Sequence, residues 1–454
     1  MNVSVLDYGA KCDGALQTQA FQTAIDACFL AGGGEVTVPG GEYIVAGIRL
    51  RSGVTLHLLE NAILKGTRNP EDYLSYLDDT LEPVPEEDKT DVLWSPASAG
   101  LMAQRDFRFL TKAASRWNSG LIKVIHARNV AIIGEKGSVI DGMDCFDEIG
   151  EEYYRGPHAM HFYDCENITL RGYTVKDSAN WAHNLNKCRN ILAENLTVLA
   201  GHDGIHMSSC DEIIIRNCQF YTGDDSVAGF DNNDVTVENC ILNSACSAFR
   251  FGGNHVRIHK CYAYAPCKYV FRGGMSPEDK RRSAPSVPGS ARNNMLSFFT
   301  YYSDPSLGSR KAPGDILITD CVAENADRLL HYNFSGNEPW QCGCPLTDIT
   351  FKGLTAIGVG MSLNLYAPEE QPVKLQIEDS ILSFRENATA NELIRTHSYD
   401  TIRLENLCVV NLKANALVRR WDPRGELKAK GVLCDLAEEQ YVTEANEEFI
   451  CKAI

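Results

Sequence analysis

Between Cys165 and Arg272 the chain repeats one short pattern of alternating apolar and polar residues. Five segments carry it: ENITLRGYTV, RNILAENLTV, EIIIRNCQF, DVTVENCIL and HVRIHKCYAY. Aligned on one apolar residue, they place Ile168, Ile191, Ile214, Val235 and Val256 at steps of 23, 23, 21 and 21. Alternation with period two reads as a strand with one buried face. Self-similarity at a period in the twenties reads as a solenoid of stacked coils. Coils that pair strand on strand lie about 4.8 Å apart, so residues one period apart stack almost directly. Asp203 and Asp225 are 22 apart, as are Arg250 and Arg272. The spacing predicts all four along one line on one face.

The pattern extends on both sides. Residues 18–31 read as an amphipathic helix with Phe21, Ala24, Ile25, Cys28 and Phe29 on one face, ended by the glycines at 32–34. Such a helix is expected to cap the first coil. Several short strands with Gly and Pro turns follow in EVTVPGGEYIVAGIRLRSGVTLHLLENAIL. Two stretches break the period. Residues 66–118 carry an acidic run from Asp78 to Asp91 and the aromatics Trp94, Phe107, Phe109 and Trp117. Residues 273–313 carry Lys280, Arg281, Arg282 and Arg292. Insertions in solenoids tend to line the binding side, so both are expected near a cleft, although a solvated charged loop explains either equally well. Strands return with looser steps at DILITDC, DITFKG, VKLQIEDSIL and TIRLENLCVV, and residues 435–454 read as an acidic, partly helical tail. The expectation is a single all-β domain over 1–454, a parallel β-helix with an N-terminal capping helix.

Charge and cysteine content narrow the partners. With 43 basic and 60 acidic residues the net charge is −17, which argues against nucleic acid and anionic membranes as partners. No apolar run is long enough to span a bilayer. The opening MNVSVLDYGAKCDG has neither a charged n-region nor an apolar h-region, so no signal peptide is expected. Among 17 cysteines, Cys165, Cys188 and Cys210 recur just before strands, and Cys218, Cys240 and Cys261 recur within what read as strands. Such regularity suits ladders of small buried side chains better than a disulfide framework. An odd number of reduced thiols fits a cytoplasmic location. QCGC at 341–344 is a weak metal signal, and no metal or organic cofactor is expected.

The candidate chemistry sits on the repeat. Asp203 lies in GHDGIHM, Asp224 and Asp225 in TGDDSVAGF, Arg250 in AFRFGG and Arg272 in KYVFRGG. Stacked carboxylates repel, which gains a structural protein nothing unless a cation sits among them. In an enzyme the same repulsion drives pKa values apart into an acid and a base. Turn aspartates would explain each motif alone, but not three in register. Trp181 and His183 in NWAHN lie one coil earlier, and an aromatic face there can stack on a sugar ring. His202 and His206 flank Asp203. Strand alternation would send 203 and 205 one way and 202, 204 and 206 the other, so one histidine reads equally as a core residue.

These motifs resemble glycoside hydrolase family 28, the polygalacturonases and rhamnogalacturonases, which are right-handed parallel β-helices. HDGIH matches the last four residues of that family's N-T-D-G-I-H motif, and GDDSV its G-D-D-C-V/I. SAFRFGG sits where the family has G-H-G-x-S-I-G, with Ser247 in place of the usual histidine, and only Arg272 remains of a basic pair. LDYGAKCDG and the segment ending in VIDG also resemble the family's opening coils. The resemblance covers most of the first 275 residues. It implies an inverting glycoside hydrolase, with Asp224 as general acid and Asp203 with Asp225 holding the attacking water. Arg250, Arg272, His202, His206, Trp181 and His183 become candidate substrate contacts, and the partner an oligosaccharide, pectic or related, released from its end. Two other readings stand beside it. One is a β-helix polysaccharide lyase or epimerase that holds Ca²⁺ on the aspartates. The other is a carbohydrate-binding solenoid without catalysis.

Overall fold

The computed structural model describes residues 1–73, 80–89, 113, 115–146, 155–272, 275, 278, 293–334 and 338–445. The chain is a right-handed parallel β-helix, mostly β, with one N-terminal helix before the coils. It falls into two compact units, Met1–Asp224 with Lys268–Arg292, and Asp225–Cys267 with Asn293–Ile454.

In the first unit each coil contributes three short strands, and each strand pairs in parallel with its counterpart one coil on. Gly120–Ile125 is followed by His158–Tyr163, His183–Asn186 and Ile205–Ser208. Arg128–Gly134 is followed by Glu166–Arg171, Arg189–Glu194 and Asp211–Arg216. Val139–Asp141 is followed by Thr174–Lys176, Thr197–Ala200 and Gln219–Thr222. Sharp turns between strands need a left-handed backbone, which Asn and Asp tolerate better than other side-chain-bearing residues. Asn129, Asn167 and Asn190, each the second residue of its strand as the chain leaves the turn, have φ between 54° and 59°. Their amides bond upward from coil to coil, Asn190 to Asn167 at 2.7 Å and Asn167 to Asn129 at 2.8 Å.

The register corrects one phase of the expected repeat. Ile168 pairs with Ile191, but Ile191 pairs with Ile213, a step of 22. Ile214 points outward and is 41 % exposed, while Ile213 and Ile215 are buried. Three consecutive isoleucines fit either phase by composition, and only the pairing decides. The cysteine ladders are buried as expected, but Cys218, Cys240 and Cys261 lie in the turns between strands and not within them. Each thiol donates to the carbonyl two residues before it, as Cys188 does to Asn186 at 3.2 Å and Cys218 to Arg216 at 3.2 Å. These carbonyls also accept a backbone N–H from the neighbouring coil, as Asn186 does from Asp164 at 2.9 Å and Arg216 from Asn195 at 3.1 Å, so the small weak donor takes the second lone pair.

The helix spans Thr18–Leu30 and buries Phe21, Ala24, Ile25 and Cys28. It packs against the first strands, Asn2–Ser4, Gly34–Val38, Ile48–Arg49 and Val54–Leu58. Phe29 is only half-buried, beneath the Arg51 guanidinium. Part of the 66–118 insertion is anchored to the coils. Asp88 accepts from Tyr163 at 2.7 Å and faces His126 at 2.9 Å, and the Glu82 carboxylate accepts from the Ser52 backbone N–H at 3.2 Å. These two acids are therefore ties and not part of a solvated run. Trp94, Phe107, Phe109, Asp78 and Asp91 lie outside the described residues, as do Lys280, Arg281, Arg282 and Arg292 of the second insertion.

In the second unit Ser247–His259 is a long strand that pairs with Val227–Glu238, then with both Met295–Tyr301 and Gly314–Thr319. From there Ile316, Ile349, Leu375, Ile402 and Leu427 follow in register at steps of 33, 26, 27 and 25. The extra length sits between strands, so the ladder survives it. The expected helical tail is corrected as well. Glu438–Gln440 makes one 3₁₀ turn, and Val442–Glu444 joins the sheet beside Ala416–Arg420. Residues 446–454 lie outside the described residues.

Candidate active site

The three aspartates are all buried, with 3 % of Asp203, 8 % of Asp224 and 1 % of Asp225 exposed. Carboxylates rarely tolerate this without partners. Asp203 sits in the turn just before the strand Ile205–Ser208. Its Oδ2 lies 2.7 Å from His206 Nδ1, so an ionised Asp203 accepts the Nδ1 proton and fixes the tautomer of the ring. The His206 ring lies flat on Trp181, with centroids 3.6 Å apart and planes within 1°. Trp181 in turn meets the edge of Trp117 at 5.9 Å. Strand alternation fails here because residues 201–204 are turn, so Asp203 and His206 reach each other instead of facing apart.

Asp224 is the last residue of the first unit. Within that unit Arg155 Nη1 lies 3.8 Å from its Oδ2. The same nitrogen donates to His202 Nδ1 at 3.3 Å, and the guanidinium lies 5.3 Å above the Trp117 ring. Arg155 carries no motif, and the sequence gives no sign of it. Its partner His202 is 47 residues away along the chain.

Arg272 does not continue a line begun by Arg250. Arg250 is followed in register by Thr300, because the strand after it begins only at Met295. Arg272 instead pairs its Nη2 with Asp144 and bonds its backbone N–H to the Gly201 carbonyl at 3.2 Å. Its stem crosses Gly201 so closely that a Cβ there would sit 1.9 Å from Arg272 Cγ. Burial raises Asp144 to about 6 against the opposing pull of Arg272.

His183 is corrected from candidate contact to core residue. Its ring faces inward in register with Met160 and Ile205. Nδ1 donates to the Gly204 carbonyl at 3.0 Å, and Nε2 lies 3.1 Å from the Tyr173 hydroxyl. Both nitrogens are thus engaged inside the coil. Burial lowers the group to about 4.

In the second unit Asp225 accepts from the Ser247 backbone N–H at 2.9 Å. A carboxylate held by a backbone amide is a charge-assisted bond that needs no histidine at 247. The Ser247 hydroxyl lies 3.1 Å from that of Thr300. Arg250 Nη1 stands 3.6 Å from Asp225 Oδ2, with its guanidinium 4.9 Å from the Tyr302 ring and 5.6 Å from Trp340. Neither aromatic belongs to a motif. Tyr302 lies within residues 273–313, just past the strand Met295–Tyr301, and Trp340 lies beyond them.

A family model described as glycosyl hydrolases family 28 matches residues 84–247, the stretch that holds Arg155 and all three aspartates. Residues 84–247 are thus similar to this family. Among curated relatives, an exo-poly-alpha-D-galacturonosidase of Dickeya chrysanthemi is 43 % identical over 72 residues, 16 % of this chain and 12 % of that protein. A probable polygalacturonase of Vitis vinifera is 28 % identical over 222 residues, 46 % of this chain and 40 % of that protein. Alginate lyase 7 of Azotobacter vinelandii is 40 % identical over 79 residues, 17 % of this chain and 9 % of that protein. The chain thus spans less than half the length of these relatives. The fold likeness is broader. An exopolygalacturonase structure from Thermotoga maritima aligns with a TM-score of 0.57 at 18 % identity, covering 90 % of this chain and 92 % of that one. The family 28 stretch ends at Ser247, so Arg250 and Arg272 lie beyond it.

Proposed function

We propose that the protein is an inverting glycoside hydrolase, exo-acting on galacturonic-acid-containing or related oligosaccharides. Burial of three aspartates on the family's motifs carries the reading. Desolvated carboxylates are a cost to the fold that acid–base chemistry makes useful. Asp224 acts as general acid and protonates the leaving oxygen. Asp203 and Asp225 orient and deprotonate the water that attacks the opposite face. His206 holds the Asp203 carboxylate, and the Trp181 ring holds His206. Arg250 and Arg272 bind substrate carboxylates or hydroxyls. The names of the Dickeya and Vitis relatives support a pectic substrate. The free cysteines support a reducing compartment, and so action in the cytoplasm on imported oligosaccharides.

The test is a panel of pectic and neutral oligosaccharides scored by reducing ends released, with the anomer of the first product read by NMR. Release of terminal residues with inverted configuration is expected. The match to an alginate lyase favours a second reading, a uronate lyase or epimerase that uses Ca²⁺. Loss of activity on chelation, with ultraviolet absorbance from an unsaturated product, would select the lyase. Binding without any turnover would select the non-catalytic solenoid.

A further inference from the structure

We propose that Arg155, with Trp117 and His202, forms a seat for the carboxylate of a uronic acid sugar bound at Asp224. The inference rests on the hydrolase reading above and adds the group that selects the substrate.

The guanidinium sits at the end of a chain of ring contacts. Arg155 lies on Trp117, Trp117 meets Trp181, Trp181 stacks on His206, and His206 bonds Asp203. This chain of contacts links the guanidinium to Asp203. One edge is set by His202, whose Nδ1 accepts from Nη1 and whose ring stands edge-on to Phe271. Accepting at Nδ1 leaves the neutral ring a donor at Nε2. Arg155 is only 8 % exposed, so its charge acts where water screens it little.

The distance to Asp224 gives the seat its meaning. At 3.8 Å the pair attracts but is too long for a hydrogen bond. An acid that protonates a glycosidic oxygen must touch the sugar, so substituents on that side of the ring fall within reach of Arg155. A carboxylate there can engage the planar fork at close range, as guanidinium groups prefer. A neutral or esterified sugar cannot. In a chain of net charge −17, a fixed local cation is also what an acidic ligand needs to approach.

The experiment compares oligogalacturonate with its methyl ester, which keeps the shape and removes the charge. Arg155→Ala is expected to lower kcat/KM on the free acid by at least ~10-fold, the scale of a charged hydrogen bond, and to change the ester little. Arg155→Lys, which keeps the charge without the fork, is expected to fall between. Equal losses on acid and ester would overturn the seat and make Arg155 a brace for Asp224 and His202. So would a lowered Tm with unchanged discrimination. If the wild type hydrolyses neither substrate, the hydrolase reading fails, and calorimetric binding of trigalacturonate still decides the seat. Weaker binding to Arg155→Ala supports it, and equal binding overturns it.

Discussion

Asp203, Asp224 and Asp225 carry opposing demands. Each buried charge costs the fold, and each is assigned a step in the reaction. Asp203→Asn, Asp224→Asn and Asp225→Asn are expected to leave the coils folded by circular dichroism. Each should lower turnover by at least ~100-fold, the scale for losing a positioned acid or base. The roles should separate. Asp224→Asn should lose least on substrates with a good leaving group, which needs little protonation. Asp203→Asn and Asp225→Asn should lose on good and poor leaving groups alike. Wild-type rates in all three would end the assignment. Asp203, Asp224 and Asp225 were visible in the sequence because motif and spacing coincide there. Arg155, Tyr302 and Trp340 were not, because each arrives from a distant segment with no local pattern. His183 was misread for the opposite reason. It lies two residues from Trp181, a spacing that shares a face within a strand, but Trp181 precedes the strand His183–Asn186, so the rule does not join the two.

At the scale of the element, pairing decides what composition leaves open. Ile213 is buried in register with Ile191, and Ile214 faces outward. Ile213→Ala should therefore cost about 2–5 kcal/mol of stability, the range for truncating a buried isoleucine. Ile214→Ala should change stability by less than about 0.5 kcal/mol. Urea denaturation of both variants reads the difference, and equal losses would contradict the register. The stacked strands were legible as far as Val256 because the step there is nearly constant. Later steps of 33, 26, 27 and 25 hide the same ladder. The thiols follow the ladder too. Alkylation under denaturing, non-reducing conditions is expected to label every cysteine, and several missing labels would overturn the reducing compartment.

Across the whole molecule, burial holds His158, His161, His183 and His331 below their usual range. A histidine with a depressed folded pKa binds fewer protons folded than unfolded between the two values. Stability then rises with pH across that window, and is lost as pH falls from about 6.5 to the value of about 4 for His183. Asp144 works the other way. Raised to about 6 from 3.8, it binds more protons when folded, so its contribution weakens as pH rises through that interval. Burial raises Asp177 as well, but the four histidines outnumber the two acids, so a net loss of stability toward acid is expected. His161→Leu should flatten the slope of Tm against pH, because both ring nitrogens of His161 lack a partner among the described residues. An unchanged slope would remove His161 from this balance.

The helix Thr18–Leu30 has one more consequence. Strands that pair only with the coil above and below leave a terminal coil with unpaired N–H and C=O groups, a template for any second chain. Phe21, Ala24, Ile25 and Cys28 lay an apolar face over that first coil. Without it, the same backbone spacing that builds one molecule would continue from molecule to molecule. The helix thus ends the stack on that side, covering the apolar interior that a further coil would otherwise cover.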